Sequence, residues 1–307
     1  MSIVKDTIKK SIQILPFYPV CRRICREMRF APGGHYYSPI PSDEDISYAL
    51  SHRSASHDEI SVDAEYQLAL LEEISRFHHN IPNFPWAKNK DFLFYYANPY
   101  FSFPDVAILT SFLQFRKPKR FVDIGGGITS FLIMDLNRLL FENAPIQLEV
   151  IQPFATLITN ELSPEKQPIL HEKRIQDVDL NLFETMEEDD VLFLDTSHVS
   201  KAGSEVNCIL FEILPKLKPG VRVHIHDIFF PFEYPEEFFQ DGKQWNELYL
   251  WRAFLMNNKD YQIELFNAYL EYFHLKELTE KIPNYKSTQR SEAHLHNHGT
   301  SLWIQKK

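Results

Sequence analysis

Phe121-Val-Asp-Ile-Gly-Gly-Gly-Ile-Thr-Ser130 is the stretch whose reading decides the fold. Phe121 to Ile124 reads as a buried strand, and the chain then breaks into Gly125, Gly126 and Gly127. Apolar residues resume at once, and their spacing predicts a helix from Thr129 to about Leu140. Glycine is needed where backbone turns tightly or approaches a ligand closely, because a Cβ would collide. The helix start that follows offers unpaired N–H groups and a partial positive charge. Asp123 stands at the end of the strand, where a carboxylate can accept hydrogen bonds or pair with an amine.

Outward from this turn, strands and helices alternate. Predicted strands cover Arg120–Ile124, Gln147–Gln152, Pro168–Lys173, Val191–Leu194 and Val221–His226, with Tyr261–Phe266 and Ser301–Ile304 as a final antiparallel pair. A helix from Ser204 has Val206, Ile209, Leu210, Ile213, Leu214 and Leu217 at helical spacing, and another covers Trp245–Asn257. Such alternation predicts an α/β fold: a doubly wound, mostly parallel, Rossmann-like sheet of seven strands, preceded by a helical and loop-rich N-terminal extension. The expected division is residues 1–104 for the N-terminal arm and substrate-side loops, and 105–307 for the cofactor domain.

A dinucleotide fingerprint would place a third glycine at position 130, which is Ser, and an acid after the second strand, which is Gln152. No Arg stands beside Gln152 to hold a 2′-phosphate, so an NADP-linked reductase is disfavoured. The D-x-G-x-G pattern of Asp123 to Gly127 instead resembles motif I of the class I S-adenosylmethionine (SAM)-dependent methyltransferases.

Composition bounds the alternatives. The chain has 307 residues, 25 Phe, 14 Tyr and a formal net charge of −10, which argues against nucleic-acid partners. Cys21, Cys25 and Cys208 form no disulfide framework, so a reducing, cytoplasmic setting fits. No apolar run is long enough for a membrane span. Residues 1–30 carry seven Lys or Arg against two acids. Two amphipathic segments there, Ser2–Leu15 and Val20–Phe30, read as an arm packing on the core or on a second copy of the chain, or touching a membrane surface.

The loop Ala31 to Ser42 is too rich in Pro and Gly for a regular element and presents His35, Tyr36 and Tyr37 as candidate substrate contacts. Ser42 with Asp45 is a loose capping box. Val62–His79 reads as a helix. Asp105 reads as the cap of a helix running to Arg116.

Residues 190 to 250 make the resemblance more specific. Asp190-Val-Leu-Phe-Leu-Asp-Thr-Ser-His198, Gly203-Ser-Glu-Val-Asn207, Leu217 to Ile228, Pro231-Phe-Glu-Tyr-Pro235 and Trp245 to Leu250 follow in order. Together with Gly34 to Pro41 and Gly299 to Trp303, they resemble a class I methyltransferase family, methyltransferase-24-like, often met beside glycan or natural-product biosynthesis. The resemblance implies that Asp123, Gly125, Gly126 and Gly127 face the methionine part of SAM. Gln152 would meet the ribose hydroxyls, through a carbonyl rather than the usual carboxylate, and Asp177 the adenine amine. The acceptor would be a small molecule or saccharide, methylated on oxygen.

Methyl transfer needs an aligned nucleophile and a group to take its proton. Open α/β sheets bind ligands at the carboxyl ends of their strands, where this chain has Asp195, His198, His226 and Asp227. His198 or His226, with Asp195 beside it, is the candidate base. Asp195, His226 and Asp227 are also a candidate set for a divalent metal, since acids after these strands suit Mg²⁺ and a mixed set suits Mn²⁺, Fe²⁺ or Zn²⁺. Trp245, Glu247 and Tyr249 are candidate acceptor contacts. Arg222, His224 and His226 share one face of a strand that should be apolar; they are either satisfied by buried hydrogen bonds or reach the site through His226. The His294-x-His-x-His298 tract reads as a solvated loop. Two other outcomes use the same binding motif: SAM chemistry that releases methylthioadenosine by cyclisation or aminocarboxypropyl transfer, and a catalytically silent SAM-fold protein that serves as a partner.

Overall fold

A computed structural model describes residues 17–27, 31–53, 56–283, 285–286 and 297–307. The Ser2–Leu15 segment, His294 and His296 lie outside the described residues. The chain forms two compact units, residues 1–54 with 236–244, and residues 55–235 with 245–307.

The smaller unit contains the helices Tyr18–Glu27, Asp43–Ser51 and Glu236–Gln240. Ser42 caps the second of these: its hydroxyl accepts from the Asp45 N–H at 3.1 Å, and the Asp45 carboxylate accepts from the Ser42 N–H at 2.8 Å. Aspartate can therefore close a capping box in place of glutamate. Within the preceding loop the His35 Nδ1 accepts from the Tyr37 N–H at 3.1 Å, and Tyr36 is 91% exposed.

The larger unit is a seven-stranded sheet flanked by helices. In chain order its elements are α1 (Ala64–Ser75), α2 (Phe103–Arg116), β1 (Arg120–Ile124), α3 (Ile128–Leu139), β2 (Gln147–Ile151), α4 (Thr156–Glu161), β3 (Ile169–His171), α5 (Asn181–Glu184), β4 (Val191–Leu194), α6 (Glu205–Cys208), β5 (Arg222–Ile225), α7 (Glu247–Leu255), β6 (Tyr261–Phe266), α8 (Asn267–Phe273), α9 (Leu275–Lys281) and β7 (Leu302–Lys306). The strand order is β3-β2-β1-β4-β5-β7-β6. The first five pair parallel, and β7 lies antiparallel between β5 and β6. This is the doubly wound architecture the sequence predicts, Rossmann-like and of the class I methyltransferase type. β4 is buried along its whole length, as a strand covered on both faces must be.

Helix α1 packs on β6: the Tyr66 hydroxyl lies 3.3 Å from Glu264, and the Gln67 side chain accepts from the Phe266 N–H at 2.8 Å. Two local expectations change. Helix α2 is capped by Ser102, whose hydroxyl accepts from the Asp105 N–H at 3.2 Å. Pro104 in its first turn also moves the start earlier than Asp105. The helix begun at Ser204 is regular only to Cys208; it widens into a π turn over Ile209–Ile213 and ends in a 3₁₀ turn over Leu214–Lys216. Pro215 has no N–H with which to continue the ladder.

Asp105 is a hub instead of a cap. Its carboxylate accepts from the Ser102 hydroxyl (2.6 Å), the Asn267 amide (2.8 Å), the Thr300 N–H (3.1 Å) and the Ser301 hydroxyl (2.7 Å). It thereby joins α2, the start of α8 and the entry to β7. The polar face of β5 is engaged internally in part, with the Nδ1 atoms of His224 and His226 left without a partner among the described residues. Arg222, 2% exposed, donates to Glu264 at 2.9 Å and also pairs with Asp189. The Ser301 hydroxyl donates to Asp105, so it accepts from the His224 Nε2–H at 2.7 Å. His224 stacks on Phe193 with ring centres 4.1 Å apart, and burial holds its pKa well below the ordinary histidine value.

Candidate active site

The glycine turn is shaped by its own chain first. Gly125, Gly126 and Gly127 have φ of +111°, +41° and +137°, a region that side chains resist. A Cβ on Gly125 would overlap the carbonyl oxygen of Asp195, and one on Gly126 would meet Val150 Cγ1. Asp123 is wholly buried beneath the turn. Its Oδ2 accepts from the Ser130 hydroxyl at 2.5 Å, and the same hydroxyl accepts from the Gly127 N–H at 3.2 Å. Ser130, the residue that breaks the dinucleotide fingerprint, is therefore the clasp between strand, turn and helix. Burial, reinforced by the charge of Asp195, raises the Asp123 pKa to about 7 against the bonds from Ser130 and the Gly126 N–H.

Two buried acceptors beside the turn have no donor among the described residues: Asp123 Oδ1 and Gln152 Oε1. Gln152 follows β2, and its side-chain oxygen would lie 3.3 Å from a Cβ on Gly126. Asp177 sits in an exposed 3₁₀ turn after β3, where Arg174 holds its carboxylate at 3.0 and 3.2 Å.

At the ends of β4 and β5 the chain gathers Asp195, Thr196, His198, His226 and Asp227. His198 and Asp227 both adopt the left-handed region, with φ of 59° and 58°. Strain of this kind persists only where surrounding contacts fix it. His198 is 4% exposed. Its Nδ1 lies 3.0 Å from Glu247, while Nε2 faces Asp195 at 3.4 Å and Asp227 at 3.8 Å. The Trp245 ring lies 4.1 Å from the imidazole, centre to centre. Burial alone would lower the His198 pKa. Asp195 and Glu247 beside the ring, with the charge of Asp227, overcome this and raise it to about 10. His198 is thus an imidazolium at neutral pH. Burial also tends to raise Asp195, but His198 and His226 hold its carboxyl below the ordinary range.

The His226 Nε2 lies 3.1 Å from the Tyr100 carbonyl, which can only accept, so this nitrogen carries the proton. Its buried Nδ1 has no partner among the described residues. Burial lowers its pKa, but Asp227, Asp195 and Asp105 together carry it above the ordinary value.

The structure thus brings Asp195, His198, His226 and Asp227 together, but it does not arrange Asp195, His226 and Asp227 as a metal centre. Among the described residues no three His, Cys, Asp or Glu side chains could hold a metal ion. Asp195 and Asp227 instead face the His198 Nε2, at 3.4 and 3.8 Å. Glu247, read from sequence as an acceptor contact, is only 1% exposed and lies behind His198. Tyr249 is 40% exposed and donates its hydroxyl to Glu233 at 2.5 Å. His35, Tyr36 and Tyr37 belong to the smaller unit.

Sequence reasoning missed Ser130, Thr196 and Trp251. Trp251 follows Glu247 by four residues, one helical turn, and its indole N–H donates to Glu247 at 2.9 Å. That spacing was a usable signal. Thr196 had none, because its role depends on a helix some fifty positions away in the chain.

No protein-family model matches the chain. A protein of Archaeoglobus fulgidus with uncharacterized function is 29% identical over 197 residues, which is 61% of this chain and 88% of that protein. Two solved structures of the plantazolicin methyltransferase BpumL are similar, one with SAH and one with SAH and a pentazolic desmethylPZN analog. Their identities are 12% and 13%, they cover 86% and 80% of this chain and 98% and 100% of their own, and their TM-scores are 0.37 and 0.36. A likeness so remote carries no argument about function.

Proposed function

We propose that the protein is a SAM-dependent methyltransferase that acts on a hydroxyl of a small molecule or saccharide. The single observation that carries this reading is the backbone contact between Gly125 and Asp195. It supports reading the glycine turn and the acid cluster as parts of one site at the strands' carboxyl ends, where ligands bind in open α/β sheets. The residues fit the cofactor in one testable respect: Asp123 Oδ1 and Gln152 Oε1 are buried acceptors that find no donor among the described residues, and SAM offers an amine and ribose hydroxyls. Gly125, Gly126, Gly127 and Gln152 would hold it. When bound, SAM supplies a methyl group already activated by its sulfonium.

The chain's own residues then have to align the acceptor and take its proton. With the His198 pKa raised to about 10, the proton acceptor passes to Asp195, whose backbone adjoins the turn and whose side chain is 33% exposed. His198 stabilises that carboxylate, and His226 stands behind it. This refines the sequence reading, in which a histidine was the base.

Incubating the protein with SAM and candidate acceptors, then identifying the sulfur product by mass, tests the proposal. S-adenosylhomocysteine supports methyl transfer, and methylthioadenosine supports the other use of SAM. Gln152, in place of an acid, favours one second reading, a SAM-fold protein that serves only as a partner. Calorimetry showing no SAM binding would select it.

A further inference from the structure

Glu247 begins α7 and is almost wholly buried, yet its carboxylate is fully engaged. Trp251 donates to its Oε1 at 2.9 Å, and the Thr196 hydroxyl donates to its Oε2 at 2.8 Å. His198 Nδ1 lies 3.0 Å from that second oxygen. Thr196 also accepts from the His198 N–H at 2.9 Å, so backbone, hydroxyl, carboxylate and ring form a closed circuit. From the other side, the N–H groups of Asn246 and Glu247 donate to the His198 carbonyl at 3.0 and 3.1 Å. A carboxylate at a helix start is also favoured by the unpaired N–H groups there.

An acid bound to one ring nitrogen of a histidine decides which way the other nitrogen faces. Here Nδ1 is committed to Glu247, and Nε2 is therefore the nitrogen turned to Asp195 and Asp227. Turning the ring over would break the Glu247 bond and remove the N–H from between the two aspartates. We propose that Glu247 is a positioning residue that acts through His198: it locks the ring with Nε2–H toward Asp195 and so sets the direction in which that carboxylate meets the acceptor. The role in catalysis rests on the methyltransferase reading, but the lock is a property of the protein alone.

Nuclear magnetic resonance of the histidine-labelled full chain tests it. The wild-type protein should show an exchange-protected, downfield Nδ1–H signal for His198, identified by its absence in H198N. Glu247→Gln should abolish that signal or move it upfield, and Glu247→Asp, which retracts the carboxylate by one methylene, should give an intermediate shift. An unchanged signal in both variants, or its absence from the wild type, overturns the proposal. Should Glu247→Gln fail to fold, Glu247→Asp alone decides between shift and no shift. Binding of S-adenosylhomocysteine, measured by calorimetry on the same samples, separates the two claims. Absence of binding to wild type defeats the methyltransferase reading, while the His198 signal still answers for Glu247.

Discussion

Gly125 and Asp195 pack backbone against backbone across the neighbouring strands β1 and β4, so closely that any Cβ at 125 would overlap the aspartate carbonyl oxygen. The contact leaves Gly125→Ala two costs, a steric one and a φ of +111°. Together they should destabilise the protein by about 2–5 kcal/mol. Urea unfolding checks this, and stability within experimental error of wild type would show that the strands separate more easily than the geometry implies.

Asp123 should make stability depend on pH. Its carboxyl moves from 3.8 in the open chain to about 7 in the fold. The folded state therefore binds the proton more tightly. The benefit is full below about pH 3.8 and is lost as pH rises through about 7. Asp123→Asn should flatten this slope, which amounts to ~4 kcal/mol at most. Denaturation of both proteins at pH 5 and pH 8 tests it, and parallel curves would refute the assignment.

His198 should add a second, more alkaline slope. Its pKa rises from 6.5 to about 10 on folding, so its contribution is complete below about 6.5 and disappears as pH climbs through about 10. His198→Gln leaves Asp195, Asp227 and Glu247 without their shared cation. A loss of about 2–4 kcal/mol at pH 7 is expected, because removing one partner strands buried charges. The gap between variant and wild type should narrow toward pH 10. Comparing the two unfolding free energies at pH 7 and 9.5 gives the answer.

Asp105→Asn should weaken the join between α2, α8 and β7. An amide nitrogen would face the donors of Thr300 and Ser301 that the carboxylate now accepts. The expected loss is about 3 kcal/mol, the scale for buried charged hydrogen bonds left unmade. Thermal unfolding should show it, with the amide protons of Thr300 and Ser301 exchanging faster than in wild type.

The strands were legible because burial on both faces demands continuous apolar runs, as in Val191–Leu194. The glycine turn was legible because its backbone angles exclude other residues. Asp105 was misread as a cap because its partners, Asn267 and the Thr300–Ser301 pair, lie far along the chain and only folding brings them near. The polar residues at the ends of β4 and β5 were legible by type and position. Their protonation was not, since it is set by neighbours from three separate segments.

By itself, the sequence determined the α/β alternation, the turn at Gly125 to Gly127, and the gathering of Asp195, His198, His226 and Asp227 at strand ends. These follow from local rules: periodicity, backbone freedom, and the side of a sheet on which loops must lie. Tertiary structure alone decided that Glu247 lies behind His198, that Ser130 clasps Asp123, and that the carboxylates around the ring raise its pKa. Charge state and hydrogen-bond direction depend on distances between groups remote in the chain, and no local pattern encodes those distances.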